Sequence, residues 1–156
     1  MVGIQIRYPK QNAEKAIEVI KMGYKAIKFD PFGQKNFYRL NKKIFFLSEK
    51  RISEVRKAIG ENIEILIKGA RKFNVMNAVK ISEMLKKYDP LFFEEPFPKR
   101  MFRTNSSKKT NKLIISNRRK IITKFPFVKL VEDNAVDVLQ PDIANAGGLT
   151  ELKKYL

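Results

Sequence analysis

The chain has 156 residues, of which 44% are hydrophobic and 31% are charged, and its 33 lysines and arginines against 16 acidic residues give a net charge of +17. This composition is typical of a globular domain and excludes a disordered chain. Cysteine and histidine are absent, which excludes disulfides, thiolate zinc sites, a cysteine nucleophile and a histidine base. Any catalysis must therefore use carboxylate, lysine or hydroxyl groups.

Short apolar segments rich in isoleucine, valine and phenylalanine alternate with amphipathic segments along the chain. The apolar segments predict strands at residues 2–8, 26–29, 63–67, 91–93, 113–115 and 136–139. The amphipathic segments predict helices at residues 13–22, 48–59 and 77–87. Gly23 and Gly60 end the first two of these helices, while Ser48 begins the second and Asn74 precedes the third. This alternation predicts an α/β fold with a parallel sheet.

The predicted strand ends recur about every 25 residues after a longer first interval, which suits successive units of a β/α barrel. A complete barrel needs about 250 residues, so the expected architecture is an incomplete TIM-type barrel of about six βα units. An open doubly wound sheet is the alternative, because spacing alone does not require the sheet to close.

Eleven of the basic residues lie between residues 97 and 131, a stretch without any acidic side chain. The pI of about 10.1 raises the question of a nucleic-acid partner. However, the chain has no helix-turn-helix, zinc-finger or aromatic RNA-binding signature, so we predict no specific nucleic-acid partner. We also predict a cytoplasmic protein without a membrane partner, because no apolar segment approaches the roughly 20 residues of a membrane span and the start lacks an apolar signal core.

Several motifs occur in an order that is typical of one enzyme family. The two most specific are Phe92-Phe93-Glu94-Glu95-Pro96 and Gln140-Pro141-Asp142. Further matching segments are residues 23–33, 55–60, 73–75 and 147–154. Together they resemble the mandelate racemase and muconate-lactonizing branch of the enolase superfamily, and most closely its gluconate and galactonate dehydratases. The resemblance covers nearly the whole chain except roughly residues 99–120.

The resemblance implies a TIM barrel that follows a capping domain, and a small sugar acid as the substrate. It also implies a Mg²⁺ cofactor held by three carboxylates, one from each of three successive strands. The metal would bind the substrate carboxylate and acidify its α-proton, which a base removes before hydroxide leaves the neighbouring carbon. Barrel geometry places these groups at the carboxyl ends of the strands.

The family's functional residues match this chain only in part. Glu94 matches the second metal ligand, whereas Lys68 and Arg119 occupy the positions of the other two. Ala70 occupies the position of a catalytic histidine, and Asp142 matches an aspartate that orients a second histidine that this chain does not contain.

The resemblance also suggests that Lys28 and Asp30 contact the substrate. A solvated lysine and a simple loop start are the alternatives for these two residues.

These matches predict that residues 1–156 form a truncated and degenerate barrel domain, without the capping domain and the last strands, in which residues 99–120 are an aberrant basic segment. We expect no bound Mg²⁺ and no dehydratase activity, with Glu94 paired to Lys68 or Arg119. Two alternatives are a dehydratase completed by another subunit and a metal-free anion-binding protein that uses Lys28, Lys68 and Arg119.

Two further expectations concern the partners and the origin of this chain. An incomplete barrel has open sheet edges, which could support self-association. The genetic code also allows Asn117-Arg118-Arg119-Lys120 to be encoded by a sequence that begins Thr-Gly-Glu in the next reading frame. Compensating frame changes would therefore explain the basic segment.

Overall fold

The computed structural model describes residues 2–4, 8–33, 40–98, 115–117, 128, 131–132 and 137–154. In these ranges the strands are β1 (Val2–Ile4), β2 (Ala26–Phe29), β3 (Glu64–Lys68), β4 (Phe92–Glu94), β5 (Ile115–Asn117) and β6 (Val138–Leu139). The helices are α1 (Pro9–Lys21), α2 (Lys42–Ile59), α3 (Val75–Leu85) and α4 (Leu149–Lys153), and a short 3-10 helix (Lys86–Tyr88) extends α3. No helix in the described part of the chain is both long enough and apolar enough to cross a membrane.

The six strands form one parallel sheet in which each strand pairs with the next one along the chain. This arrangement confirms the predicted α/β class and parallel sheet. A doubly wound sheet reverses its strand order at a switch point, whereas this sheet runs from β1 to β6 without reversal. The consecutive order therefore favours the barrel prediction over the open alternative.

Asparagine side chains cap the amino ends of two helices. Asn41 accepts a hydrogen bond from the backbone N–H of Ile44, and Asn74 accepts one from Asn77. The predicted role of Asn74 is therefore confirmed, but the predicted start of α2 at Ser48 is wrong. Ser48 lies inside α2, where its hydroxyl donates to the carbonyl oxygen of Ile44 at 2.8 Å. Gly60 ends this helix as predicted, with a φ of 72° that favours glycine.

The apolar core lies between the sheet and the helices that follow its strands. Isoleucine and phenylalanine side chains of β2, β3 and β4 pack there against α2 and α3, and its fully buried residues include Ile27, Phe29, Ile52, Val55, Ile65, Ile67, Ile81, Leu85 and Phe93. Three rings extend this core toward the carboxyl ends of the strands. Phe32 packs edge-on against Phe73 at a centroid distance of 4.8 Å, and both rings contact Phe93.

Candidate functional site

The carboxyl ends of β2, β3 and β4 bring three predicted site residues close together. Lys28 is in register with Leu66 of β3, and Lys68 at the end of β3 is in register with Glu94 of β4. Neighbouring parallel strands that end at the same edge of a sheet place their last side chains around one site. Lys28, Lys68 and Glu94 therefore surround the position where a barrel enzyme carries its active site.

Glu94 forms an ion pair with Lys28. The Oε2 atom of Glu94 lies 2.8 Å from the Nζ atom of Lys28, and the two side chains are only 1% and 13% exposed. The predicted pairing of Glu94 with Lys68 is wrong. The Lys68 side chain is exposed to solvent, whereas Lys28 is mostly buried and reaches the carboxylate from β2. The other predicted partner, Arg119, lies outside the described residues, as do residues 99–114 and 118–120 of the basic segment.

The ion pair between Lys28 and Glu94 is close, but it is not a hydrogen bond of ordinary geometry. The 2.8 Å separation is short enough for strong charge compensation, yet Oε2 accepts no hydrogen bond of ordinary geometry from any residue that the structure describes. The distance decides the electrostatics, because Coulomb attraction depends on separation and tolerates a poor angle. The negative charge of Glu94 is therefore compensated mainly by the ammonium group of Lys28.

These residues do not fit a divalent metal. Mg²⁺ prefers six oxygen ligands in octahedral geometry and uses carboxylates to balance its charge. The described ranges contain no group of three or more acidic, histidine or cysteine residues that could hold a metal ion. The buried carboxylate at the strand ends already has a cation beside it. A second carboxylate nearby, Glu95, has the Nε atom of Arg71 3.6 Å from its Oε2.

Asp30, a predicted substrate-binding residue, takes part in contacts within the protein. Its Oδ1 accepts a hydrogen bond from the backbone N–H of Phe32 at 2.9 Å, and its Oδ2 accepts one from the ammonium group of Lys72. Lys72 is only 6% exposed, so Asp30 compensates a buried charge. Arg51 contacts the same turn and donates to the carbonyl oxygen of Pro31 at 2.6 Å.

Burial lowers the pKa of Arg51, and the negative charge of Asp30 opposes that shift. Asp30 therefore lies near two buried cations and helps to hold the turn after β2. Sequence reasoning did not identify Lys72 or Arg51, because their spacing does not distinguish buried basic residues from the many exposed ones.

The loop between β3 and α3 packs closely on the chain that follows β4. Backbone N–H groups of Gly69, Arg71 and Phe73 donate to the carbonyl oxygens of Glu94, Glu95 and Pro96, at 2.7, 2.6 and 3.1 Å. Three non-glycine residues of these two segments have positive φ angles, namely Ala70 at 52°, Arg71 at 60° and Glu95 at 43°. Such angles cost about 1–3 kcal/mol each and concentrate at functional sites.

This loop carries Ala70, the position that the resemblance assigns to a catalytic histidine. The backbone at this position is therefore strained, although its side chain is a methyl group and not an imidazole. No sequence pattern indicated the strain, since Ala70 and Arg71 are not residues that favour a left-handed conformation.

Asp142 organises the turn after β6. Its Oδ1 accepts hydrogen bonds from the backbone N–H groups of Ala144 and Asn145 at 3.0 and 3.3 Å. Its carbonyl oxygen accepts two more, from Asn145 and Ala146. Among the described contacts, none joins Asp142 to Lys28 or Glu94, so the structure does not bring this predicted site residue to the ion pair.

Comparison with known proteins agrees with this geometry. The sequence model for the family described as enolase C-terminal domain-like matches residues 11–156. The chain belongs to this family. The predicted relationship to the enolase superfamily and the coarse prediction of a TIM-barrel-type fold are therefore confirmed.

The curated relatives of this enolase-family domain include sugar-acid dehydratases. It is 38% identical over 150 residues to a D-gluconate dehydratase from Thermoproteus tenax, a match that covers 92% of this chain and 29% of the relative. It is 32% identical over 147 residues to a D-gluconate/D-galactonate dehydratase from Picrophilus torridus, with 94% and 37% covered. The chain thus spans about a third of the length of these relatives.

Solved structures give the same fold. A mandelate racemase/muconate lactonizing enzyme from Jannaschia sp. CCS1 superposes with a TM-score of 0.86 at 26% identity, covering 94% of this chain and 39% of the other. A member of the enolase superfamily from Salmonella Typhimurium gives a TM-score of 0.88 at 24% identity, with 96% and 41% covered. The second likeness supports the fold alone.

Proposed function

We propose that this domain derives from a Mg²⁺-dependent sugar-acid dehydratase and that, by itself, it does not dehydrate gluconate or galactonate. The observation that carries the proposal is the ion pair between Lys28 and Glu94, with 2.8 Å between its charged atoms. In this pair the carboxylate that matches a metal ligand already has a positively charged partner. The dehydratase lineage is supported by two curated relatives that are 38% and 32% identical.

The chemistry of dehydration requires groups that this chain does not supply at the matching positions. Loss of water from a 2,3-dihydroxy acid removes the proton from C2 and hydroxide from C3, and the resulting enol becomes a 2-keto-3-deoxy acid. The reaction needs a base at C2, an acid at C3 and a cation that stabilises the enediolate. The chain contains no histidine, and Ala70 occupies the position of one catalytic histidine in the resemblance.

Electrostatics argue against a divalent ion beside Glu94. An ammonium group 4 Å from a doubly charged ion raises its free energy by about 8 kcal/mol at an effective dielectric constant of 20. Lys68, in register with Glu94, adds a second positive charge at the same strand ends. The single carboxylate of Glu94 cannot offset the repulsion of Mg²⁺ by both ammonium groups, so we propose that Mg²⁺ does not bind here.

A direct assay tests this proposal. The purified chain is incubated with gluconate or galactonate and millimolar Mg²⁺, and formation of the 2-keto-3-deoxy acid is followed over time. We expect no product above the rate of a chain heat-inactivated before the assay. Mg²⁺-dependent turnover by the chain alone would refute the proposal. Turnover only after addition of a second protein would instead support the alternative in which another subunit completes the site.

A second candidate function is metal-free binding of a sugar acid or another small anion. The exposed Lys68 side chain at the end of β3 favours it, because its ammonium group is open to solvent beside the candidate site. Lys28 is less suited to this role, since Glu94 already compensates its charge. We expect saturable gluconate binding to weaken in Lys68→Met and in Arg119→Met if the anion site exists. Unchanged affinity in both variants would eliminate it.

Self-association is a further proposal about partners. Strands β1 and β6 lie at opposite ends of the described sheet order, and each pairs with one neighbour there. Sedimentation velocity over a range of concentrations tests whether the chain associates. A single monomeric species throughout would contradict the proposal.

A further inference from the structure

We infer that the Lys28 ammonium group is a built-in counter-cation that takes the place of a divalent metal at Glu94. The inference rests on the proposed function, because it explains how a buried metal-ligand position remains stable without the metal. It goes further in assigning Lys28 a definite role, namely to hold the site neutral and closed to Mg²⁺.

The burial of the two side chains makes their pairing necessary. Glu94 is 1% exposed, and an ionised carboxylate that is buried without a partner is strongly destabilising. Its Oε2 accepts no hydrogen bond within the described ranges, so hydrogen bonds do not replace the lost hydration of this oxygen. The ammonium group at 2.8 Å is therefore its main source of compensation.

Position on the sheet fixes Lys28 in this role. β2 pairs with β1 on one side and with β3 on the other, and Lys28 itself is in register with Gly3 and Leu66. A strand held on both sides gives the lysine stem a defined starting point. Since the side chain is only 13% exposed, the ammonium group in this position depends on Glu94 to compensate its charge.

The neighbouring charges have other partners. Asp30 pairs with Lys72, and Glu95 pairs with Arg71. Lys68 is in register with Glu94 but is exposed, and it makes no ion pair with any residue that the structure describes. Lys28 and Glu94 thus form a pair of their own, in which one positive and one negative charge cancel.

A double-mutant cycle tests the inference. Lys28→Met removes the ammonium group and keeps a long unbranched side chain, while Glu94→Gln removes the negative charge and keeps the shape. We expect Lys28→Met to lower Tm by roughly 6–20 °C, because it leaves a buried carboxylate without its counter-charge. Adding Glu94→Gln should restore most of that loss, since the double variant contains neither charge.

Lys68→Met is the matched control, because it removes a lysine from the neighbouring strand end. Its exposed side chain predicts a change in Tm of roughly 2 °C or less. The inference is overturned if Lys28→Met is no less stable than this control, or if the double variant is as unstable as Lys28→Met alone. If Lys28→Met does not fold, recovery of folding in the double variant still supports the inference, and its failure to fold refutes it.

A metal titration tests the second part of the inference. A ligand that binds only the folded state raises Tm in a concentration-dependent way. We expect millimolar Mg²⁺ to leave the Tm of the unmodified chain unchanged relative to NaCl of equal ionic strength. A saturable increase would show that Lys28 does not exclude the metal. The two proposals can be tested separately. A chain without dehydratase activity can still lack the expected coupling between Lys28 and Glu94, which would refute only this inference. A chain that dehydrates gluconate can still show that coupling, which would refute only the proposed inactivity.

Discussion

Arg56 of α2 contacts the carbonyl oxygen of Tyr88 through two nitrogen atoms, Nε at 3.1 Å and Nη2 at 2.9 Å. The same guanidinium group donates to the carbonyl oxygens of Asp89, Gly60 and Ile63. It therefore joins the end of α2, the turn before β3 and the turn before β4. Burial lowers the pKa of Arg56, while the carboxylates of Asp89, Glu64 and Glu61 oppose the shift.

We expect Arg56→Met to reduce the free energy of unfolding by about 2–4 kcal/mol, because it leaves several backbone carbonyl groups without their charged donor. The stability of Arg56→Lys should lie between that of the unmodified chain and that of Arg56→Met, since one ammonium group cannot reach all four carbonyl groups. Urea unfolding at neutral pH measures both. The control is Lys57→Met, which removes an exposed cation 3.6 Å from Glu54 and should change stability by about 0.5 kcal/mol or less. Equal losses in Arg56→Met and Lys57→Met would contradict this role.

Gly69 is required for a steric reason. A Cβ atom at this position would lie 2.7 Å from the Cα of Pro96 and 2.9 Å from a ring atom of Phe93. We expect Gly69→Ala to destabilise the protein by about 2–3 kcal/mol, because a backbone atom has to move. Gly60→Ala is the comparison, since Gly60 has a φ of 72° and no atom within 4 Å of an added Cβ. Its cost is conformational, because this φ with a ψ of −173° suits glycine almost alone, and should be about 1–3 kcal/mol. Thermal unfolding that shows no loss of stability in Gly69→Ala would refute the steric argument, and Gly60→Ala shows the loss that backbone conformation causes without a clash.

The sequence predicted the sheet better than the contacts at its edge. Apolar segments of three to five residues identify β2, β3 and β4, because a parallel strand that is covered on both faces is predominantly apolar. The start of α2 was predicted six residues too late, since Ser48 is a good capping residue in isolation and Asn41 is a better one in the folded chain. Local preference thus gave way to a cap whose position depends on how the helix packs.

The partner of Glu94 shows the same limit at the site. Family resemblance places Glu94 and Lys68 at neighbouring strand ends, and their backbones are indeed in register. Register does not decide which side chain enters the site. Lys28 reaches the carboxylate of Glu94 from β2, on the far side of β3. The strained loop at Ala70 was also not predictable, because its conformation depends on hydrogen bonds to residues 94–96, far away in the sequence.

The strain at Ala70 leads to a prediction of increased stability. Its φ of 52° is costly for alanine and easy for glycine. We expect Ala70→Gly to raise the free energy of unfolding by about 0.5–1 kcal/mol, the strain relieved minus the extra entropy of glycine in the unfolded chain. Ala13→Gly, in the regular backbone of α1, is the control and should lower it by about 1 kcal/mol. Opposite signs in urea unfolding would support the assignment, whereas destabilisation by both changes would refute it.

Tyr88 makes the stability of the fold sensitive to alkaline pH. Burial, and then the negative charge of Glu49, raise the pKa of Tyr88 above its ordinary value of 10.0, so the folded state holds the phenol proton more tightly than the unfolded chain. The stability from this difference is present below pH 10.0 and is lost as pH rises through the folded-state pKa. The hydrogen bond with Glu49 also raises the pKa of Lys87, which acts in the same direction.

We therefore expect the free energy of unfolding to fall with alkaline pH, and to fall less steeply in Tyr88→Phe, which lacks the titrating phenol. Near neutral pH the free energy of unfolding of Tyr88→Phe should be only about 1 kcal/mol lower than that of the unmodified chain, because the hydrogen bond from the Tyr88 hydroxyl to Glu49 that it removes is long, at 3.4 Å. Tyr8→Phe, at a side chain that is 64% exposed, is the control and should follow the unmodified chain at every pH. Urea unfolding at a series of pH values measures all three proteins. If Tyr88→Phe loses stability as steeply as the Tyr8→Phe control, the alkaline transition belongs to Lys87 or to another group, and the assignment to Tyr88 is wrong.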